Sequence, residues 1–93
     1  MLIRARFFGD LRRNLDKKWV AVEIPEGSTL IDLLSSISNT LDPGLRDKIV
    51  EKYETKPQIR ILVNGRNIDY LDKLITKLSD GDVVTIMPIA GGG

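Results

Sequence analysis

Ile89-Ala90-Gly91-Gly92-Gly93 follow an apolar run with the composition of a β-strand, and none of the five carries a side chain able to act as acid, base or nucleophile. The group left for chemistry is a carboxylate on the last glycine. Glycine suits the presentation of such a group, because a backbone without Cβ threads a narrow channel in conformations barred to other residues. Ordering each tail residue in a partner costs roughly 1–2 kcal/mol, which main-chain hydrogen bonds or an added-strand contact must offset. A frayed chain end, a flexible linker and a cloning scar fit the same five residues. The second pair whose spacing could do chemistry is Asp80 and Asp82, as acid and base. Flanking Gly81, they read as turn residues instead.

Composition narrows the chemistry further. Without cysteine there is no disulfide, iron–sulfur ligation or thiol catalysis. Without histidine, the usual zinc sites and the Ser-His-Asp and Cys-His systems are excluded as well. The lack of cysteine fits a cytoplasmic protein. A formal net charge of +1 gives no electrostatic case for a nucleic-acid or membrane partner. Arg4, Arg6, Arg12, Arg13, Lys17 and Lys18 outnumber Asp10 and Asp16 near the start. They read as a solvated face or as a surface for an acidic protein partner, and Trp19, Tyr53 and Tyr70 lie too far apart in sequence to argue a base-stacking platform. Met1 to Phe8 hold two arginines, so they make neither a signal-peptide core nor a membrane span, and no later segment is long and apolar enough to cross a bilayer.

The elements that must position the tail are legible as changes of period. Leu2 to Phe8 alternate, with Ile3, Ala5 and Phe7 on one face and Arg4 and Arg6 on the other, which predicts a half-buried strand. Val20, Val22 and Ile24 predict a second strand, ended by Pro25-Glu26-Gly27, and the two make a hairpin. Ser28 and Thr29 offer an N-cap, with Asp32 in the first turn. Leu30, Leu33, Leu34, Ile37 and Leu41 then form one helical stripe. Asp42-Pro43-Gly44 breaks it, and Leu45 to Lys52 suggests a short second helix. Ile59, Ile61 and Val63 return to period two, Asn64-Gly65 signals a hairpin, and Arg66 to Tyr70 predicts a short polar edge strand. Leu71 to Leu78 reads as a turn or two of helix or a packed loop, and Val83 to Met87 as the last strand, from which Pro88 helps peel the tail away.

Two strands, a helix, two strands, a connector and a last strand describe one α+β domain in the β-grasp order: a mixed sheet with one main helix on one face. The division is a domain over 1–88 and a flexible tail over 89–93. First and last strands then lie parallel at the centre, and the tail leaves from a rigid point. If Ile3, Ala5, Phe7, Val20, Val22, Ile61, Val84 and Ile86 face the helix, then Leu62, Val83 and Met87, with the cation Arg60, fall on the opposite face. That set is a candidate partner surface near the tail exit; a covering loop, or apolar groups scattered singly, would give the same pattern.

Ile3-Arg4-Ala5-Arg6-Phe7-Phe8, Thr29-Leu30-Ile31-Asp32-Leu33-Leu34, Ile61-Leu62-Val63-Asn64-Gly65, Leu78-Ser79-Asp80-Gly81-Asp82-Val83-Val84 and Pro88-Ile89-Ala90-Gly91-Gly92, in this order, resemble the MoaD/ThiS family of sulfur carriers, ubiquitin-like in fold. The length and the long stretch from Asp42 to Gln58 are more similar to the MoaD branch. The resemblance implies a carrier and cosubstrate, not itself an enzyme. Its last glycine, Gly93 or Gly92, is adenylated and becomes a thiocarboxylate, and Pro88, Ile89, Ala90 and Gly91 form the tail. It implies no bound cofactor, since ATP and magnesium belong to a ubiquitin-activating-type adenylating enzyme. The implied second partner is the large subunit of molybdopterin synthase, which takes up the tail and passes its sulfur to a pyranopterin precursor. A ubiquitin-like modifier joined to target-protein lysines, and an inert binding module, are the rival readings. Two departures stand out. The family pattern ends in two glycines where this chain has three, and one extra extended residue shifts the carbonyl by roughly 3.3–3.6 Å. The family also commonly has a second proline where this chain has Met87.

Overall fold

The computed structural model describes residues 1–12 and 19–89. Among them, strands β1 (Leu2–Phe7), β2 (Trp19–Glu23), β5 (Ile59–Val63), β6 (Arg66–Asn67) and β7 (Val83–Pro88) form one sheet in the order β2-β1-β7-β5-β6. The intervening β3 (Val50–Glu51) and β4 (Glu54–Thr55) make a separate hairpin. β1 and β7 run parallel at the centre, and the remaining pairings in the sheet are antiparallel. This is the β-grasp predicted from the order of periods, with the ubiquitin-like form that the family resemblance implies.

Helix α1 (Leu30–Thr40) forms where the sequence supplies both a cap and a stripe. Thr29 accepts the Asp32 N–H through its hydroxyl, and the Asp32 carboxylate accepts the Thr29 N–H at 2.9 Å. Two of the amides left without a partner at a helix start are thereby satisfied. Leu30, Leu33, Leu34 and Ile37 are fully buried against Ile3, Ala5, Phe7, Ile61, Val84 and Ile86 of the sheet, in a single core. No helix of the described residues is long and apolar enough to cross a membrane.

Three local expectations change. The second helix, α2 (Leu45–Ile49), ends short of Lys52 because the chain turns directly into the β3–β4 hairpin, whose Lys52-Tyr53 turn takes positive φ at 49° and 68°. The edge strand β6 is only two residues, since the Asn67 side chain accepts the Asp69 N–H and folds Ile68–Tyr70 into a 3-10 turn. Lys73–Ile75 form a second such turn. Finally, Pro88 does not end the pairing. It lies opposite Ile59, and the Ile89 N–H still donates to the Gln58 carbonyl at 2.7 Å. A proline lacks only its own N–H, so a ladder that does not require that donor continues past it.

Candidate functional site at the tail exit

Strand direction decides what surrounds the tail. β7 runs toward the exit parallel to β1, so the exit gathers the end of β1, Phe8 and Gly9, on one side. β5 runs the other way, so its beginning, Gln58 to Arg60, flanks the exit on the other. A cleft of about 160 Å³ opens beside Ile89, lined by Lys56, Pro57, Ile59 and Arg60 among others. Ile89 lines this cleft, and both Pro88 and Ile89 are exposed. Ala90, Gly91, Gly92 and Gly93 lie outside the described residues, as do the cations Arg13, Lys17 and Lys18.

The face of the sheet away from α1 is built by the same registers. Trp19 lies opposite Arg6, Arg6 opposite Thr85, and Thr85 opposite Leu62, making one row across four strands. Arg60 stands opposite Met87 at the exit end, and Arg4 opposite Val83 at the far end. Leu62, Val83 and Met87 are half-buried and Arg60 is exposed, so none of the four belongs to the core. Met87 and Arg60 adjoin the exit and Leu62 stands midway along the sheet. Val83, four residues back along β7, is about 13 Å from Met87 and does not border the exit.

Sequence reasoning missed the centre of this face. The Arg6 guanidinium carbon sits 4.5 Å from the Trp19 ring centroid and 5.2 Å from that of Phe8, within cation–π range of both. Separation along the chain hid the cluster, although the alternation that puts Arg6 on this face, combined with a β1–β2 hairpin, contains it. Arginine, aromatic and methionine side chains, types enriched at protein interfaces, gather on this face with Leu62.

At the other end of β7 the polar groups are spent on the fold. The Asn64 side chain accepts the Val83 N–H and donates to Asp82, both at 2.9 Å, while Asp82 also accepts the Ser79 N–H at 2.8 Å. Asp80 accepts the Leu2 N–H at 2.7 Å. These carboxylates bind turns and strand ends together and form no acid–base pair. No group of three or more potential metal-ligating side chains occurs among the described residues.

Residues 5–93 match the model of the ThiS family. The chain belongs to the ThiS family. It is similar to small archaeal modifier protein 3 of Haloferax volcanii, with 34% identity over the full length of both. A protein of Archaeoglobus fulgidus whose name describes it as a sulfur carrier protein is 36% identical over 85 residues, covering 91% of this chain and 85% of the relative. In structure, this ThiS-family chain is similar to a Pyrococcus furiosus protein named as subunit 1 of molybdopterin converting factor. The TM-score is 0.73 at 26% identity, over 96% of this chain and 98% of that one.

Proposed function

We propose that this ThiS-family chain is a carrier whose terminal glycine carboxylate, on Gly93 or on Gly92 after trimming, is adenylated by a ubiquitin-activating-type enzyme and converted to a thiocarboxylate. The observation that carries the reading is the anchored stem: the central strand β7 delivers Pro88 and Ile89, tied to Gln58, to the edge of an arginine-rich apolar face. Residues Ala90 to Gly93 then continue the chain without bulky side chains.

The chemistry follows from leaving-group ability. A carboxylate is a poor acyl donor. Its oxygen attacks the α-phosphorus of ATP, pyrophosphate leaves, and the resulting acyl-adenylate accepts a sulfur nucleophile at the carbonyl carbon as AMP departs with one carboxylate oxygen. ATP, magnesium and the catalytic side chains belong to the partner, in the cytoplasm; no nucleic acid or membrane takes part. This chain supplies the acyl group, and docking through Arg60, Leu62, Met87 and the more distant Val83 raises its effective concentration at the acceptor.

One fate of the thiocarboxylate is sulfur donation to a pyranopterin precursor, with this chain as the small subunit of molybdopterin synthase beside a larger catalytic subunit. Similarity to the Pyrococcus furiosus protein supports it. Full-length similarity to an archaeal modifier favours a second outcome, in which a lysine amine of a target protein attacks the carbonyl of the acyl-adenylate, losing a proton and expelling AMP as the isopeptide bond forms.

Intact-mass spectrometry before and after incubation with ATP, magnesium, the activating enzyme and a sulfide donor tests the proposal. A gain matching oxygen exchanged for sulfur, mapped to the last glycine, is expected; no change, with an enzyme active on another carrier, overturns it. Deleting Gly92 and Gly93 should leave thermal unfolding unaltered and abolish activation. Pterin sulfuration in a reconstituted synthase and isopeptide-linked conjugates on cellular proteins distinguish the two fates.

A further inference from the structure

The chain reverses at Gly9 on leaving β1, with φ at +61°, and enters a 3-10 turn, Gly9–Arg12, whose Leu11 is buried in the core. This turn passes so close to the end of β7 that a Cβ on Gly9 would lie 2.8 Å from Pro88 Cγ and 3.4 Å from its Cδ. On the same side as Gly9 the Phe8 N–H donates to the Ile86 carbonyl at 3.1 Å, and on the other side the Ile89 N–H is held by the Gln58 carbonyl at 2.7 Å. Pro88 and Ile89 therefore leave the sheet between two supports: the bare backbone of Gly9 and the carbonyl of Gln58.

The supports differ from ordinary packing in having little room to yield. A flexible side chain swings away from an added methyl group. The Pro88 ring can only change its pucker, which shifts Cγ, while Cδ is bonded to the backbone nitrogen and the ring fixes φ near −65°. The turn is pinned through Leu11, so a Cβ at Gly9 is relieved chiefly by moving Pro88, and with it the direction in which the chain departs at Ile89.

We propose that Gly9 is a positioning residue for the tail, its missing Cβ setting the direction in which Pro88 and Ile89 send the chain into a partner. The inference rests on the reading of the tail as the reacting group. In a partner channel that held them extended, the four residues beyond Ile89 would span about 13–14 Å, so a change of about 10° at the stem would displace their end by about 2 Å. A misplacement of about 1 Å at reacting atoms costs on the order of 100-fold in rate.

The test is a double-mutant cycle between Gly9→Ala and Pro88→Ala, read in two ways. The first readout needs no enzyme: the chemical shift and hydrogen-exchange protection of the Ile89 amide. Gly9→Ala should move both when Pro88 is present and leave them close to their Pro88→Ala values when it is absent. The second is ATP–pyrophosphate exchange by the activating enzyme. With Pro88, Gly9→Ala should lower kcat about 100-fold with KM unchanged, because the docking face is intact; in the Pro88→Ala background the further loss should be less than about twofold. The strain of a positive φ at residue 9 is common to both backgrounds and cancels in the comparison. Gly9→Asn, which tolerates that φ while adding a Cβ, should reproduce the kcat loss and serves if Gly9→Ala folds poorly. An unperturbed Ile89 amide, equal losses in both backgrounds, or a rise in KM with kcat unchanged overturns the proposal. If the unaltered protein is not adenylated at all, the carrier reading fails, and the Ile89 amide alone then decides whether Gly9 sets the stem.

Discussion

The two faces of the central sheet are made by the same strands and use alternate residues of them for opposite ends. Toward α1, Ile3, Ala5, Phe7, Ile61, Val84 and Ile86 are at most 1% exposed. On the other side, Arg4, Arg6, Arg60, Leu62 and Met87 lie only one residue away along the chain and keep contact with solvent. Burying a large aliphatic side chain stabilises by roughly 1.5–3 kcal/mol, so the helix-covered face carries the larger part of the folding energy. The open face is then free to be chosen for recognition. Arg4 and Arg60 are exposed there, while Arg6 is half-buried, its guanidinium against the Trp19 and Phe8 rings and its Nε shielded from solvent. Thr85, flanked in register by Arg6 and Leu62, is only 8% exposed although it lies on this face.

Neighbouring residues of β5 break the comparison if it is wrong. Ile61→Ala removes a side chain from beneath α1 and should cost about 2–5 kcal/mol. At about 4–8 °C per kcal/mol for a domain of this size, calorimetry should register a fall in Tm of about ten degrees or more. Leu62→Asp, one residue on, should cost less than about 1 kcal/mol and yet weaken binding of the activating enzyme about tenfold or more, measured by titration calorimetry. Comparable losses of stability from both would mean that the open face is part of the core. An unchanged affinity in Leu62→Asp would separate that face from partner docking.

What the sequence disclosed follows the same division. The helix-covered face was legible because its signals repeat: alternation in β1 and β5, and the Leu30, Leu33, Leu34, Ile37 stripe behind the Thr29–Asp32 cap. The β3–β4 hairpin was not, since strands of two residues are too short to show a period. Its turn also places Lys52 and Tyr53 at positive φ, where glycine or asparagine would have signalled one. On the candidate site, alternation assigned Leu62, Val83, Met87 and Arg60 to the open face, while their distances from the exit needed the register. The support of Pro88 by Gly9 is a tertiary contact between opposite ends of the chain, and no local pattern announces it.

The smallest expected effect probes whether the open face organises itself before any partner arrives. Arg6 lies between Trp19 and Phe8, and a cation–π contact at a partly exposed site contributes about 0.5–1 kcal/mol. A double-mutant cycle with Arg6→Lys and Trp19→Phe should return a coupling of that size in chemical unfolding. Lysine keeps the charge but loses the flat guanidinium that stacks on a ring, and phenylalanine keeps an apolar ring with a weaker quadrupole. Trp19 is the protein's single tryptophan, so its emission in the native state should also shift on Arg6→Lys. A coupling near zero with unchanged emission would make Arg6 an ordinary solvated cation, and the open face would then be ordered only by the partner that covers it. A measurable coupling means that the guanidinium is already held over the rings. Less side-chain entropy then remains to be lost on docking, where immobilising one such side chain costs about 0.5–1.5 kcal/mol.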